Sequence, residues 1–274
     1  MTTFLFWNIN KKPLAALLRL LVDEYAPDVL ALAECSIAVD VLLDAVNANG
    51  AVTYRISPDP AGEPASRLVL LTRLPHAAIT ALVGNTKCAV RHIKPPLSAD
   101  LLLVALHLIS KLHTNGGEQE QAMLATRLRP LIDDAERQVG HQRAVVMGDL
   151  NMSPFESGVT SSETLHAVTE RHSALKRSRT VQGQERFFFY NPLPGQLAAA
   201  AAGPPGTYYR PATGTAPASW HIYDQVLIRP DLLANFSDED LSVLTRAGPV
   251  SLLNKSGRPD RRVGSDHLPL LLKI

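Results

Sequence analysis

Short apolar runs and longer periodic ones alternate along the first half of the chain, and the two rhythms predict different elements. Phe4–Ile9 is a short apolar run with aromatics, bounded by a Lys-Lys-Pro turn, which predicts a buried strand. Pro13 suits the first turn of a helix, and Leu14, Leu17, Leu18, Leu21 and Val22 then recur at helical spacing. Pro27-Asp28 ends that helix. Val29–Ala33 predicts a second buried strand, Ile37–Val46 a second helix, and Arg67–Thr72 and Ala99–Leu108 further strands. Glu118–Val139 predicts a long amphipathic helix with Leu124, Leu128, Leu131, Ile132, Ala135 and Val139 on one face, kinked or restarted at Pro130. Ala144–Met147 predicts a strand that runs straight into Gly148-Asp149. The strands expected after it are Arg186–Tyr190, Asp224–Ile228, Leu241–Thr245 and Leu268–Ile274.

Strand and helix alternate first, and strands dominate later. That order predicts one α+β domain over residues 1–274, with two sheets packed on each other and helices outside. Leu197–Thr215 holds an Ala run and then Gly-Pro-Pro-Gly, and is expected to be a flexible surface loop. Composition narrows the function classes. Hydrophobic residues make up 46%, too many for a disordered chain. The longest apolar runs, such as Leu101–Leu106, fall far short of the roughly 20 residues that span a bilayer. The N-terminus lacks the basic and apolar regions of a secretory leader, so a cytoplasmic location without membrane attachment is expected. Two cysteines, Cys35 and Cys88, make neither a disulfide framework nor a zinc knuckle. A net charge of +1 argues against a protein coated in positive charge for sequence-blind nucleic-acid binding, and allows a local basic groove.

The informative polar residues stand at strand ends. Asn8 closes the first strand, Glu34 follows the second, His107 ends Leu-Leu-Leu-Val-Ala-Leu-His, and Asp149 and Asn151 follow Val-Val-Met-Gly. Asp224 opens a later strand, and Asp266-His267 precedes the last. Each alone has an ordinary reading as a solvated strand end, a turn or a cap. Together they would gather on one rim. Carboxylates that converge repel each other unless a cation lies between them, and oxygen donors favour Mg²⁺ or Mn²⁺. The histidines suit phosphoryl oxygens or proton transfer.

The words Trp7-Asn8-Ile9-Asn10, Glu34, His107-Leu108-Ile109-Ser110-Lys111, Gly148-Asp149-Leu150-Asn151-Met152-Ser153-Pro154, Tyr223-Asp224-Gln225-Val226 and Ser265-Asp266-His267-Leu268-Pro269, in this order, resemble the motifs of the endonuclease/exonuclease/phosphatase superfamily, the deoxyribonuclease-I-like fold. The resemblance implies a four-layer α/β/β/α sandwich with two mixed sheets, and Mg²⁺- or Mn²⁺-dependent cleavage of a phosphoester. It implies Glu34 as the main metal ligand with Asn8 close by, and Asp266 contacting a metal directly or through water. Asp149 would orient or deprotonate the attacking water, and Asn151 would hydrogen-bond the scissile phosphate. His267 would bond a phosphate oxygen and Asp224 would orient it, while His107 would contact phosphate or protonate the leaving oxygen.

The sequence departs from the family pattern in places. Position 10 is Asn where several nucleases of the group have Asp, no Arg stands two residues before Asp224, and Arg67–Arg73 lacks the usual glycines. Substrate cues lie in loops. Lys255, Arg258, Arg261 and Arg262 precede the Ser265-Asp266-His267 word, and Arg171, Lys176, Arg177, Arg179 and Arg186 form a second basic cluster. Tyr208, Tyr209 and Trp220 either stack a base or belong to the core. Lys111, Arg261, Arg262, Trp220 and Tyr208 are the substrate-binding candidates. A nucleic acid or nucleotide substrate is expected, with no obligate protein partner; a phosphomonoesterase is the alternative within enzymes, and a binding protein that has lost catalysis the alternative outside them.

Overall fold

A computed structural model describes residues 1–50, 52–57, 59–60, 67–96, 98–111, 117–199, 203–212 and 219–274. The strands in chain order are β1 (Thr3–Asn8), β2 (Val29–Ala33), β3 (Arg55–Ile56), β4 (Leu68–Thr72), β5 (Ile79–Asn85), β6 (Cys88–Ile93), β7 (Leu101–His107), β8 (Ala144–Asp149), β9 (Ala167–Val168), β10 (Ser178–Val181), β11 (Gln184–Phe187), β12 (Phe189–Tyr190), β13 (Tyr208–Tyr209), β14 (Trp220–His221), β15 (Asp224–Ile228), β16 (Leu241–Val243), β17 (Arg246–Ala247), β18 (Val250–Ser251) and β19 (Leu270–Lys273). The main helices are α1 (Ala15–Tyr25), α2 (Val39–Val46) and α3 (Glu118–Val139). One mixed sheet has the order β16-β19-β1-β2-β4-β3, and a second has β5-β6-β7-β8-β15-β12-β9.

Strand periodicity explains the layering. Successive side chains leave a strand on opposite faces. Phe4 and Phe6 of β1 therefore join Leu101, Leu103 and Ala105 of β7, Val145 and Met147 of β8 and Leu270 and Leu272 of β19 in a core between the sheets. Leu5 and Trp7 point the other way, against Leu17, Leu18 and Leu21 of α1 and Leu42 of α2. Leu102, Val104 and Leu106 likewise pack on Ala125, Leu128 and Ile132 of α3. The result is the four-layer α/β/β/α sandwich that the sequence motifs imply. Central strands buried on both faces read as unbroken apolar runs, since each fully buried Leu, Val or Phe is worth about 1.5–3 kcal/mol.

Several elements differ from expectation. α3 continues through Pro130 without restarting, because packed residues on both sides of the proline, Leu128 and Ile132, hold it on the sheet. The expected strand Arg186–Tyr190 is two strands. β11 pairs only with β10, while β12 lies beside β15. The β5–β6 hairpin was not signalled by pattern. β5 is only partly covered, and β6 contains Arg91, whose buried guanidinium bonds Ser57 Oγ at 3.0 Å and Asp59 Oδ1 at 2.8 Å. Of the expected loop at 197–215, Leu197–Ala199 ends a short helix and Tyr208–Tyr209 is β13, while 200–202 and 213–215 lie outside the described residues. No helix among the described residues is long and apolar enough to cross a membrane.

Candidate active site

Topology gathers the polar strand ends. β1 and β2 are parallel and end together, with Asn8 beside Ala33, and Glu34 follows. β7 and β8 are also parallel, with His107 beside Asp149. β15 runs antiparallel to β8 and begins with Asp224 opposite Asp149, and β19 runs antiparallel to β1, so Asp266 and His267 arrive at the same rim. Trp7 of β1 anchors the segment that leads into β19 there by donating Nε1–H to the His267 carbonyl at 2.9 Å. Gly148 precedes Asp149 because a Cβ on it would lie 2.0 Å from the Leu106 carbonyl oxygen. Glu34 and Asn151 adopt left-handed backbone, φ +49° and +51°. Asn tolerates that region easily and Glu does not, so the rim holds Glu34 at a conformational cost of the kind concentrated at functional sites.

The inner half of the site is fully buried. His267 Nδ1 and Asp224 Oδ2 are 2.8 Å apart, and His267 Nε2 faces Asp149 Oδ2 at 3.9 Å. Thr207 Oγ1 accepts the Asp224 backbone N–H at 3.0 Å, while Asp224 Oδ1 has no partner among the described residues. Burial works against the His267 cation, but the carboxylates of Asp224, Asp149 and Asp266 outweigh it and raise the imidazole to about 9. Burial also raises the Asp224 carboxyl, against the pull of His267. The shared proton belongs on the imidazole, which three carboxylates surround. The Nδ1–H then donates to Asp224, and the Nε2–H is left facing the Asp149 side.

In the outer half Glu34 and His107 are partly exposed, while Asn8, Asn151 and Asp266 are buried. Asn8 Nδ2 donates to Asp149 Oδ2 at 2.9 Å and to Glu34 Oε1 at 3.4 Å, so one amide joins the two carboxylates. His107 Nε2 lies 3.5 Å from Glu34 Oε1. That contact, against a smaller burial effect, lowers the Glu34 carboxyl to about 2 and keeps it ionised. Asn151 donates its backbone N–H to Asp149 Oδ1 and its amide to the Leu108 carbonyl, both at 2.9 Å. Asp266 is held by Asn10 Nδ2 at 2.8 Å, Arg261 Nη2 at 2.9 Å and Ser265 Oγ at 3.3 Å. The Asn10 backbone N–H in turn donates to Asn8 Oδ1 at 3.0 Å.

The donor set fits a hard divalent cation. Two carboxylates, one held ionised, converge on the Asn8 amide, and oxygen donors of this kind favour hard cations. Glu34 and the Asn8 oxygen could hold it, with Asp149 beside them, and Asp266, expected to contact a metal directly or through water, is held at the same rim by Asn10 and Arg261. Asp149, Asp224 and His267 also place ligand-type atoms within 4.8 Å of one another, but the His267–Asp224 hydrogen bond makes that trio a proton-holding pair beside a carboxylate.

The substrate-binding candidates divide. Tyr208 is brought to the site, its ring 4.5 Å from that of His267 and stacked at 5.4 Å on Tyr223. Arg261 reaches the rim through Asp266. Lys111 pairs with Glu156, whose Oε1 also accepts the Ser153 backbone N–H at 2.9 Å, so it braces the loop after Asn151. Arg262 is exposed, and its backbone N–H donates to Asp260 Oδ1 at 2.9 Å. Trp220 packs edge-on against Tyr209 and joins the core under α1. In the other basic cluster, Arg171, Arg177 and Arg186 pair with Asp238, Asp231 and Glu163, which gives them structural partners. Sequence reasoning missed Thr207, which hydrogen-bonds the backbone beneath the Asp224 carboxylate. It also missed Tyr223, although its adjacency to Asp224 was visible.

The sequence profile of the endonuclease/exonuclease/phosphatase family matches residues 5–267. Among solved structures, a 3′ phosphatase, NExo, from Neisseria bound to a product DNA hairpin is similar with a TM-score of 0.57 and 15% identity, over 100% of this chain and 99% of that one. Truncated TDP2 of Caenorhabditis elegans gives 0.52 and 14%, over 98% and 96%. The catalytic domain of human Nocturnin, with bound sulfate, gives 0.51 and 16%, over 99% and 93%. At these identities the likeness is one of fold. Among curated protein sequences there is no match to this chain.

Proposed function

Because the chain belongs to the endonuclease/exonuclease/phosphatase family, a family of phosphoric ester hydrolases, we propose that it is an Mg²⁺- or Mn²⁺-dependent phosphodiesterase that hydrolyses nucleic acid. The observation that carries this reading is the buried His267–Asp224 pair aimed at Asp149 across 3.9 Å. It sets a cationic donor beside an acceptor carboxylate, an arrangement suited to attack of water on a phosphodiester. The product DNA held by the Neisseria structure supports a nucleic-acid substrate, as does the ring of Tyr208 beside His267.

In the reaction, water attacks phosphorus in line with the leaving oxygen. The new O–P bond forms as the old one breaks, the water proton passes to the Asp149 carboxylate, and the leaving oxygen gains a proton. Asp149 is oriented for this by Asn8 and by the Asn151 backbone N–H. Charge grows on the non-bridging oxygens, and the His267 Nε2–H and the Asn151 amide offset it, since preorganised donors avoid the reorganisation that water would need. His107 supplies a proton donor at the exposed side, beside Glu34. A divalent ion held by Glu34, with Asn8 and Asp266 at the same rim, would neutralise phosphate charge when bound. No route to the membrane enters this reading, and a cytoplasmic setting and independence of a protein partner are part of the proposal.

The test is an Mg²⁺-dependent panel of single- and double-stranded DNA, RNA, a dinucleotide and a phosphomonoester, with Asp149→Ala as the control. Cleavage of a nucleic acid that disappears in Asp149→Ala is the expected result. Turnover of the monoester alone would replace the reading by a phosphomonoesterase, and no turnover of any substrate by a binding protein.

A further inference from the structure

The opposite edge of the second sheet carries a cluster of ligating side chains that the reaction does not use. β7 and β8 are parallel, so the residues just before them lie together. Their separation from His107 and Asp149 is one strand length, roughly 20 Å at 3.3 Å per residue. Asp100 stands before β7, His141 and Arg143 stand before β8, and His92 lies in β6 opposite Leu102. His92 Nε2 is 2.7 Å from Asp100 Oδ2, and His141 Nε2 is 3.2 Å from the same oxygen. These three atoms lie within 4.8 Å of one another. The His141 side chain is 7% exposed, and among the described residues its Nε2 forms no well-aligned hydrogen bond, although Asp100 Oδ2 is 3.2 Å away. Arg143 grips the other carboxylate oxygen, Oδ1, and donates Nε–H to the Asp100 carbonyl at 2.6 Å.

We propose that His92, His141 and Asp100 bind a transition-metal cation of the Zn²⁺ or Co²⁺ class, through the two Nε2 atoms and Oδ2, at a site separate from that of Glu34 and Asp149. Ion pairing alone explains the His92–Asp100 and Arg143–Asp100 contacts. It leaves His141 Nε2 buried 3.2 Å from the carboxylate oxygen that His92 already contacts at 2.7 Å, so that two imidazoles converge on one oxygen. A tetrahedral ion with bonds of about 2.1 Å holds its ligand atoms about 3.4 Å apart. The His141–Asp100 distance already meets that, and the His92–Asp100 distance has to open by less than 1 Å. Two imidazoles and one carboxylate select borderline metals over Mg²⁺. Arg143 fixes the carboxylate from behind, as outer partners of metal ligands commonly do.

Two features weaken the site. The Arg143 charge lies beside the ion. In addition, the Arg143 backbone N–H donates to His141 Nδ1 at 3.2 Å, and coordination through Nε2 moves the ring proton to Nδ1, so that contact breaks. Micromolar rather than nanomolar affinity is expected. Occupied, the site clips together the ends of β6, β7 and β8.

The test is a titration of the full chain with Co²⁺ in saturating Mg²⁺, followed by visible absorption, with displacement by Zn²⁺. One equivalent with the intense bands of four-coordinate cobalt is expected in the wild-type chain and in Asp149→Asn. Affinity is expected to fall at least tenfold in His92→Gln and in His141→Gln. Zn²⁺ should raise Tm in the wild-type chain and leave His141→Gln unmoved. Absence of a bound equivalent in the wild-type chain overturns the proposal. So does binding that Asp149→Asn abolishes, or binding that both histidine variants retain. If His141→Gln does not fold, the wild-type, Asp149→Asn and His92→Gln titrations decide.

Discussion

The two histidine–carboxylate pairs at the rim contrast in what surrounds them. His267 and Asp224 are sealed in at 2.8 Å, and His107 and Glu34 sit half-exposed at 3.5 Å. In the first pair the protein interior supplies the environment, and the surrounding carboxylates hold the proton on the imidazole. In the second, solvent screens the charges, and the carboxylate is left able to exchange partners. A fixed donor suits charge that develops at one place in every turnover. A looser pair suits groups that must take up an ion or pass a proton. The division follows from topology, since β15 and the segment before β19 bring the first pair in beneath the rim, while Glu34 and His107 stand just beyond strand ends.

The contrast can be broken most severely from the inner side. Asp149→Asn and His267→Ala are each expected to lower kcat by about 10³-fold, the cost of a lost preorganised group, with circular dichroism unchanged. Turnover near the wild-type rate by either would end the assignment. His107→Ala is expected to cost less, about 10²-fold, as for loss of one general acid. Its steady-state rate should recover with a substrate whose leaving group needs no proton, and a loss equal across leaving groups would place His107 elsewhere in the reaction. Arg261→Ala should raise KM by up to about fivefold with kcat nearly constant, since a partly exposed ion pair is worth at most about 1 kcal/mol. A kcat loss as large as that of His107→Ala would put Asp266 and Arg261 inside the chemistry.

The smallest effect is on stability, measured by denaturant unfolding across pH in excess chelator. His267 is raised in the folded state, so its contribution is complete below about 6.5 and is lost as pH climbs through about 9. Glu34 is depressed, so its contribution is complete above about 4.5 and is lost as pH falls towards about 2. His267→Ala should flatten the alkaline limb and leave the acid one. An unchanged alkaline limb would mean that the buried imidazole carries no raised proton.

The parts of this site legible in the sequence were those where an apolar run stops on a polar residue. Asn8, His107 and Asp149 are of that kind, and burial on both faces made their strands unmistakable. The expected departure at position 10 also has a visible consequence, because Asn10 donates an amide to Asp266 where an acid could only repel it. What escaped detection depended on pairing between distant residues. Arg91 puts a charge inside β6, and only the fold brings Asp59 and Ser57 to meet it. Thr207 lay inside a Gly- and Pro-rich stretch and gave no sign that its hydroxyl would accept the backbone N–H of Asp224. Trp220 and Tyr208 looked alike as aromatics, and only the fold assigned one to the core and the other to the side of His267.

The account rests on a rim where carboxylates hold a cation and a buried histidine holds a proton against the same phosphate. The most direct measurement is the rate of single-stranded oligonucleotide cleavage as Mg²⁺ is titrated into chelated protein, for the wild-type chain and Glu34→Gln. The account predicts no cleavage in chelator, saturable recovery with Mg²⁺, and a recovery curve displaced to higher Mg²⁺ in Glu34→Gln. Full cleavage in excess chelator, or superimposable curves for the two proteins, would contradict it.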